Sequence, residues 1–483
     1  KQKSKINNKL QTTTFVQDSI YSTSSLPVLF TASQVSVPNN TDRKAEADRF
    51  FNQGIQQFQT SQFEAGLNSW QQALQIYREI KDRQSEGKAL GNAYYFLGNY
   101  PKAIDYYQQS LAIAKEIKDR KSEGLSLGNL GLAYDNLGNY SKAIEFHQQS
   151  LKIKKEIKDR QGEGQSLGNL GLAYDSLGNY PKAIDYHQQS LDIAKEIQNH
   201  RGESAAIGNL GSAYFSLGDY QKAIDYQKQS LVIARDIKDR KGESDTLSSL
   251  GNAYFSLGDD QTAIDFYQRS LVITIEIKYR KGEGSALGSL GIVYQKQGNY
   301  LKAIEYHQKH LVIAREIGNR ESESNALGNL GVVYYSLENY PKAIEYSQQF
   351  LNRAREIKYL QGEGIALNNL GFAFYKSGNI KAAEKALFEG IKVLESLRSR
   401  ELKDSEKISI FETQRNTYNT LQKVLIAQNK TNAALEIAER SRARAFVELL
   451  ASRFVANTSD DLKSSQPLEK QKNSKNTKLQ NTT

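Results

Sequence analysis

A glutamate returns every forty residues along this chain, and its repetition raises the question of acid–base chemistry. The row comprises Glu123, Glu163, Glu203, Glu243, Glu283, Glu323 and Glu363. General acid–base catalysis uses two carboxylates whose environments push their pKa values apart, whereas these positions are equivalent. Each glutamate opens a helical pattern, where a carboxylate stabilises the positive end of the helix dipole. We therefore predict dipole stabilisation and pairing between repeats rather than catalysis.

Three of the five histidines also share one position of the forty-residue pattern: His147, His187 and His307. Other units carry different residues there, namely Tyr107, Gln227, Tyr267 and Ser347. A metal ligand could not be exchanged so freely, and His307 with His310 lacks the further ligands of a zinc site. The chain has no cysteine, which excludes zinc–thiolate sites and a cysteine nucleophile. We expect no metal, no cofactor and no enzymatic activity within these residues.

Glycines are the third recurrent feature. The stretch LGNLGLAYDNLG (127–138) holds Gly128, Gly131 and Gly138. A phosphate-binding loop follows a strand, whereas this motif has no preceding strand and recurs in unit after unit. Gly131 lies on the apolar side of the pattern, so we predict that it admits a closely packed helix. Gly138 is predicted to end its helix in the left-handed conformation. The spacing assigns no role to Gly128.

The elements that position these residues follow from the apolar periodicity. In the unit 122–157, apolar residues at helical spacing predict a first helix, A, over about 122–137. A second helix, B, is predicted over about 141–157, with the basic KDR motif in its last turn. Three of the six prolines support this division because they share the first turn of helix B, where a missing N–H is tolerated. They are Pro101, Pro181 and Pro341.

The phrase G-x-A-Y-x-x-L-G-N-Y-x-K-A-I recurs with its alanine at 103, 143, 183, 223, 263, 303 and 343. A fixed period of this length is typical of a solenoid. The phrase resembles the tetratricopeptide repeat (TPR), here through Leu130, Gly131, Tyr134, Ala143 and Phe146. The forty-residue length is similar to the arrays of G-protein-signalling modulators and kinesin light chains. The resemblance implies an all-α, right-handed superhelix, an α-solenoid, whose A helices line the concave wall.

The repeat pattern divides the chain into four segments. We predict a disordered segment at 1–44, an array of about nine helix pairs at 45–398, a helical pair at 399–456 that caps the array or links it to a missing domain, and a disordered tail at 457–483. One unit is irregular, because its KDR motifs at 81–83 and 118–120 lie 37 residues apart. This spacing predicts a helix A shortened at its start, before Gly91, and a local change of superhelical pitch.

The segment ALEIAERSRARAFVELL (434–450) resembles the helix that joins TPR arrays to a CHAT domain in bacterial, especially cyanobacterial, proteins. A CHAT domain is a caspase-like protease module, and the module itself is not within this chain. Because methionine is absent even at position 1, we expect the chain to be a piece of a longer product. Two hypotheses stay open: a protein–protein interaction scaffold, or the sensor half of a TPR–CHAT protease.

Asparagines occupy the position of helix A opposite the apolar stripe. They are Asn129, Asn169, Asn209, Asn329 and Asn369, with Ser249 and Ser289 between them. An asparagine side chain both donates and accepts, so such a ladder suits the backbone of an extended peptide. Neighbouring positions would supply side-chain pockets: Leu132, Leu172, Ser212, Asn252, Ile292, Val332 and Phe372. The alternative is that the asparagines only tie adjacent helices together.

Four aromatic residues follow one position beyond the repeat tyrosine. They are Phe215, Phe255, Tyr335 and Tyr375. Aromatic side chains at the border of a groove would be expected binding hot spots. An extension of the core explains them equally well, so both interpretations stay open.

Charge and hydropathy indicate the class of partner. The net charge is +10, which favours acidic partners through electrostatic steering. We expect no nucleic acid, because no basic face is interleaved with aromatic residues, and no membrane span, because no long apolar run occurs. A protein or peptide partner and a cytoplasmic location are favoured. The apolar stretch LPVLFTAS (26–33) after a basic start leaves a secreted or periplasmic location open.

Overall fold

The computed structural model describes residues 40–59, 62–397 and 404–442. Every regular element in these ranges is a helix, and the helices follow one another in tandem, which confirms the all-α solenoid. The helices are α1 (Asn40–Gln59), α2 (Phe63–Glu79), α3 (Arg83–Phe96), α4 (Tyr100–Glu116), α5 (Arg120–Asn136), α6 (Tyr140–Glu156), α7 (Arg160–Ser176), α8 (Tyr180–Glu196), α9 (His200–Ser216), α10 (Tyr220–Asp236), α11 (Arg240–Ser256), α12 (Asp260–Glu276), α13 (Arg280–Lys296), α14 (Tyr300–Glu316), α15 (Arg320–Ser336), α16 (Tyr340–Glu356), α17 (Leu360–Lys376), α18 (Ile380–Ser396), α19 (Asp404–Ala427) and α20 (431–442).

Odd-numbered helices up to α17 are the A helices, and even-numbered helices up to α18 are the B helices, so these eighteen helices form nine pairs. α1 begins at Asn40, five residues before the predicted start of the array. The predictions for residues 1–39 and 443–483 lie outside the described residues.

Glycine and asparagine set the turn from helix A to helix B. Gly138 has a φ of +73°, a conformation that glycine adopts without the steric cost of a Cβ. Asn139 then caps α6, because its side chain accepts a hydrogen bond from the N–H of Lys142 at 3.2 Å. The predicted helix stop is confirmed, and α5 and α6 begin and end within two residues of their predicted bounds.

The KDR motif lies in the turn after helix B, so its predicted place in the last turn of that helix is wrong. α6 already ends at Glu156, and Lys158 has a φ of +58°. Asp159 caps the next helix, accepting a hydrogen bond from the N–H of Gly162 at 2.9 Å. The aspartate therefore serves the positive end of α7, where a carboxylate is stabilising.

Gly131 lies at a close contact between α5 and α6. A Cβ at this position would stand 2.4 Å from the ring of His147, which is fully buried. The same contact recurs between Gly171 and His187. The predicted close packing at Gly131 is confirmed, and these histidines fill the space between two helices.

Gly128 belongs to a second set of facing positions, whose members compensate each other in size. A Cβ on Gly128 would be 3.4 Å from the hydroxyl of Ser150, an ordinary contact. A Cβ on Gly288 would be only 2.9 Å from the ring of His310. Facing pairs of this kind are Gly128 and Ser150, Gly288 and His310, Gly328 and Phe350, and Asn368 and Gly390. The glycine is therefore needed where helix B carries a large side chain, and is dispensable at Gly128.

Stacked aromatic rings join the two helices of the seven units from α3–α4 to α15–α16. The rings of Tyr134 and Phe146 lie 5.3 Å apart and nearly parallel, and Lys142 Nζ is 5.1 Å from the tyrosine ring centre. Equivalent stacked pairs are Tyr94 and Tyr106, Tyr174 and Tyr186, Tyr214 and Tyr226, Tyr254 and Phe266, Tyr294 and Tyr306, and Tyr334 and Tyr346. Offset stacking and cation–π attraction thus stabilise each pair beyond its apolar burial.

The irregular unit has the predicted short helix A. α3 is 14 residues long, whereas the other A helices from α5 to α17 have 17. Gly91 faces Tyr107 as Gly131 faces His147, so the end of α3 keeps the regular packing and the missing turn lies at its start. The change of superhelical pitch stays a prediction.

α19 and α20 continue the array as a tenth unit. α19 packs on both α17 and α18, which is the place of a helix A. Asn429 has a φ of +60°, and the N–H groups of Asn429 and Lys430 bond to carbonyls three and five residues earlier, as those of Gly138 and Asn139 do. The break between the two helices of the predicted pair therefore lies at Asn429. Within the described residues, the helical pair predicted over 399–456 is thus a unit of the array that lacks the glycine–tyrosine phrase.

We expect Gly131→Ala to lower the free energy of unfolding by about 1–3 kcal/mol, since its Cβ would overlap the buried His147 ring. Gly128→Ala, three residues away in the same helix, should be neutral or stabilise by up to about 1 kcal/mol through helix propensity. Urea midpoints and hydrogen exchange of α5 and α6 measure both effects. Equal effects of the two substitutions would contradict the assigned packing.

Three buried histidines predict acid sensitivity. Burial lowers the pKa values of His187, His307 and His310 to about 4. Because the unfolded chain, with histidine pKa values near 6.5, binds more protons, stability should fall as pH drops from about 6.5 toward 4. The loss is on the order of 1 kcal/mol per pH unit for each histidine.

His187→Gln should flatten this dependence, because Gln227 occupies the same position in the next unit and faces Gly211 there. Urea midpoints between pH 7.5 and 4.5 measure the change. NMR titration of the His187 ring in the folded protein gives its pKa directly, and a value near 6.5 would contradict the burial argument.

Candidate peptide-binding groove

The A helices form the inner layer of the solenoid. Successive A helices, such as α7 and α9 or α11 and α13, approach each other directly, whereas successive B helices approach each other less closely. An array of this kind curves toward the side on which its helices are closer, and the curvature creates a concave surface. The A helices therefore line a groove, and the predicted asparagines lie on these helices.

Four ladder asparagines carry unengaged amides. The side chains of Asn169, Asn209, Asn329 and Asn369 are half-buried on the A helices and make no hydrogen bond to any described residue. Their polar atoms are therefore hydrated in the free protein and available to a ligand. From the sequence, these asparagines could either contact a peptide or hydrogen-bond to a neighbouring helix. At these four positions the described residues contain no such hydrogen bond between helices.

Two other predicted residues are engaged within the protein. Asn129 donates to Asn92 at a donor–acceptor distance of 3.5 Å, which links neighbouring A helices. Asn252 accepts a hydrogen bond of 2.7 Å from the hydroxyl of Tyr267, whose ring is buried. Both asparagines thus have a structural role, Asn129 at a ladder position and Asn252 at a pocket position.

Depressions between successive A helices surround the free amides. One depression, between α7 and α9, is lined by Asn169, Leu172 and Asn209 together with small residues. The next is lined by Asn209, Ser212 and Ser249, and a third contains Ile292 and Asn329. The predicted pocket positions Leu172, Ser212 and Ile292 therefore lie beside ladder positions, and their side chains are exposed.

The four aromatic residues beyond the repeat tyrosine are half-buried and pack against apolar clusters. Phe255 packs in this way and also lies under Lys296, whose Nζ is 4.5 Å from the ring centre. Tyr335 meets Tyr340 edge-on at 5.9 Å. Contacts of this kind favour the interpretation that the aromatic residues extend the core.

The glutamate row forms ion pairs that hold the ends of the helices together. Arg120 pairs with Glu123 at 2.6 Å and also with Glu156 at the end of the following helix B. Equivalent links to helix B are Arg160 with Glu196, Arg240 with Glu276, Arg280 with Glu316, and Arg320 with Glu356. Members of the row also pair with an arginine of the preceding helix B, which confirms the predicted pairing between repeats: Glu243 with Arg235, Glu323 with Arg315, and Glu363 with Arg355.

Glu243 shows the electrostatics of the row. Its burial favours the neutral carboxyl, but hydrogen bonds from Arg235 and Arg240, both charged, outweigh burial and lower the pKa of Glu243. The carboxylate is therefore committed to two guanidinium partners. A residue held in this way is not available as a general base near neutral pH.

The described residues contain no group of three or more histidine, aspartate or glutamate side chains that could hold a metal ion. No helix in the described part of the chain is both long and apolar enough to cross a membrane.

Family models described as tetratricopeptide repeat match residues 45–116, 84–156, 203–274, 283–356 and 323–396, and a further model of the same description matches 166–201. Together these matches cover more than half of the chain. The chain belongs to the tetratricopeptide repeat family. This TPR array carries its free asparagines on the helices that form the inner wall.

The curated relatives include tetratricopeptide repeat protein 28 of human and of mouse, each 35% identical over 86 residues. That match takes in 18% of this chain and 4% of either relative, so the chain spans a small part of their length.

Solved structures align with the chain at low identity. A signal transduction ATPase with numerous domains from Pyrococcus horikoshii, which has a tetratricopeptide repeat sensor, aligns with a TM-score of 0.54 and 17% identity over 87% of this chain and 67% of that one. A kinesin-light-chain-like array from Podospora anserina aligns with a TM-score of 0.35 and 20% identity, over 41% of this chain and 95% of that one.

Truncation of two asparagines separates the structural from the free positions. Asn252→Ala should lower the free energy of unfolding by about 1 kcal/mol, because the hydroxyl of buried Tyr267 loses its acceptor. Asn169→Ala should leave it within about 0.5 kcal/mol, as expected of a surface substitution. Urea denaturation of both variants measures the difference, and a larger loss for Asn169→Ala would contradict the assignment.

Proposed function

We propose that this TPR chain is a non-catalytic protein–protein interaction scaffold whose concave groove holds an extended segment of a partner. The observation that carries the proposal is the row of free amides at Asn169, Asn209, Asn329 and Asn369. An amide that has no partner in the protein and lies on a concave wall can bind a peptide without losing an internal hydrogen bond.

The spacing of the amides suits a peptide backbone. Packed helices lie roughly 8–10 Å apart, and an extended chain advances about 3.3 Å per residue. One repeat therefore corresponds to about three peptide residues. Each asparagine can donate to a peptide carbonyl and accept from a peptide N–H, which fixes the backbone without selecting side chains.

Selectivity then falls to the neighbouring pocket positions. These vary from Leu172 through Ser212 to Ile292, so successive pockets differ in size and polarity. The net charge of +10 favours the approach of acidic segments over basic ones.

The test uses the full chain and a phage library of random twelve-residue peptides. Peptides selected on the unmodified protein should bind at least about tenfold more weakly to the triple variant Asn169→Ala, Asn209→Ala and Asn329→Ala, since each hydrogen bond contributes roughly 0.5–1.5 kcal/mol. Fluorescence anisotropy with labelled peptides gives the affinities, and circular dichroism checks the fold.

A matched control removes three exposed amides from the B helices through Gln188→Ala, Gln308→Ala and Gln348→Ala. These residues lie away from the groove, so affinity should stay within about twofold. Equal binding by both triple variants would mean that the peptide does not contact the groove amides, which would contradict the proposal.

The narrower candidate is the sensor half of a TPR–CHAT protease. The observation that favours it is that α20, which contains the start of the CHAT-like linker sequence, and the residue just before it are joined to α18 by ion pairs. Glu384 pairs with Lys430 at 2.6 Å and Glu395 with Arg440 at 2.6 Å, so movement of the array would be carried to α20. Sequencing of the reading frame beyond residue 483 tests this candidate, which requires a module with a histidine–cysteine pair.

A further inference from the structure

Charged side chains pair at a fixed spacing along the edge of the groove where the A helices begin. A cation near the start of one helix A faces the capping residue of the next helix A, 38 residues later in the chain. Lys44 pairs with Asp82 in this way, and Arg201 lies 3.6 Å from Asp239.

Lys121 stands at the same spacing from the capping residue Asp159, which forms its ion pair with Lys154 at 3.0 Å. The backbone N–H of Gly162 and also the charges of Lys154 and Lys121 hold the pKa of Asp159 below its ordinary value. Lys121 and Asp159 are separated by the same 38 residues.

Two consecutive units break this rule. The capping position opposite Lys241 is Tyr279, and the lysine Nζ lies 4.9 Å from the centre of the tyrosine ring. The capping position opposite Lys281 is Asn319, whose side chain is neutral and accepts a hydrogen bond from the N–H of Ser322. Lys241 and Lys281 therefore lack the carboxylate that the rule gives to the other cations.

Asp245 is the carboxylate that interacts with both lysines. It lies one turn after Lys241 on the inner side of α11, and it interacts electrostatically with Lys281 of the next helix A. Although Asp245 is exposed at the surface, partial desolvation by the surrounding helices and the charge of Asp239 raise its pKa, and the two lysines act in the opposite direction. The ion pairs at the starts of α11 and α13 are made by Arg240 and Arg280. Among the described residues, neither Lys241 nor Lys281 has a carboxylate within ion-pair distance, so the edge between α11 and α13 keeps positive charge that no direct partner neutralises.

The asparagine ladder is interrupted at the same place. Ser249 and Ser289 take the ladder position on α11 and α13. The hydroxyl of Ser249 donates to the backbone carbonyl of Asp245 at 3.1 Å, so its proton is not offered to the groove. The two units that lose the amide are therefore the two units that retain an uncompensated lysine.

We propose that Lys241 and Lys281 form a subsite for one acidic side chain, glutamate or aspartate, of the segment bound in the groove. The inference rests on the proposed function, because it assumes a peptide along the A helices. Both ammonium groups are on exposed lysines and would complete their charge pairing with the ligand carboxylate. The lysines thus set the register of the peptide along the groove. The amides cannot do this, because they bond only to the peptide backbone.

The position of the acidic residue follows from the spacing of the helices. α11 and α13 lie between α9 with Asn209 and α15 with Asn329. With about three peptide residues per repeat, the acidic residue should fall within the stretch of roughly nine residues held between these two asparagines.

The experiment selects random twelve-residue phage peptides on three full-length proteins. The unmodified protein and the control Lys121→Gln/Arg201→Gln should both enrich peptides with an acidic residue at one interior position. The variant Lys241→Gln/Lys281→Gln carries the same change of charge but should lose that enrichment. All four lysine and arginine side chains are exposed, so folding should be preserved, as circular dichroism checks.

Affinity measurements then use one selected peptide and its Glu→Gln or Asp→Gln form. Lys241→Gln/Lys281→Gln should weaken binding of the acidic peptide about tenfold at low salt and leave the neutral form within about twofold, since each exposed charge pair contributes a fewfold effect. Asp245→Asn should tighten the acidic peptide by about threefold, because it removes the competing carboxylate.

The outcomes separate the two proposals. If peptides bind but the acidic and neutral forms respond equally to the lysine variant, the subsite is wrong and the scaffold stands. If the control variant abolishes the enrichment as fully as the lysine variant does, the preference for acidic peptides comes from the overall positive charge of the protein, and the subsite is wrong. If no peptide binds the unmodified protein, the groove proposal fails and the subsite fails with it.

Discussion

The close approach of helix A to helix B at one glycine per unit is the contact on which the solenoid depends. Gly131 brings the backbone of α5 against the side chain of His147, and Gly171 does the same for His187. Because the backbone itself forms one side of this contact, the facing side chain can change from unit to unit while the crossing is kept. The histidines are therefore packing residues, and their regular spacing reflects the repeated contact between helix A and helix B.

This crossing fixes which face of each helix A is left over. One face packs on helix B, the flanks meet the neighbouring A helices, and the remaining stripe faces the groove. Identical side chains on that stripe then differ by their neighbours. Asn252 is held by the hydroxyl of Tyr267, whereas Asn169 has no partner among the described residues. The groove thus has a regular arrangement of helices, but the asparagines on its wall differ in their hydrogen bonding.

Much of the architecture could be predicted because the repeat shows each local signal several times. The glycine stop at Gly138, the short α3 and the break near Asn429 all follow from local rules that hold in any context. The KDR motif was misplaced because a basic residue suits a helix end while an aspartate suits the next helix start, and the motif contains both. The tenth unit was predicted only as a helical cap or linker, because it lacks the repeat phrase and its turn uses asparagine rather than glycine.

The sequence by itself determined the period, the helix pairs and the row of polar positions, because spacing along a helix fixes the face on which a residue lies. Only the tertiary structure decided which amides are free and which lysines are uncompensated. Hydrogen bonds and ion pairs depend on atoms brought together from different helices, such as Arg201 and Asp239. Those distances arise from packing, so forty-residue periodicity marks equivalent positions but does not make them equivalent in chemistry.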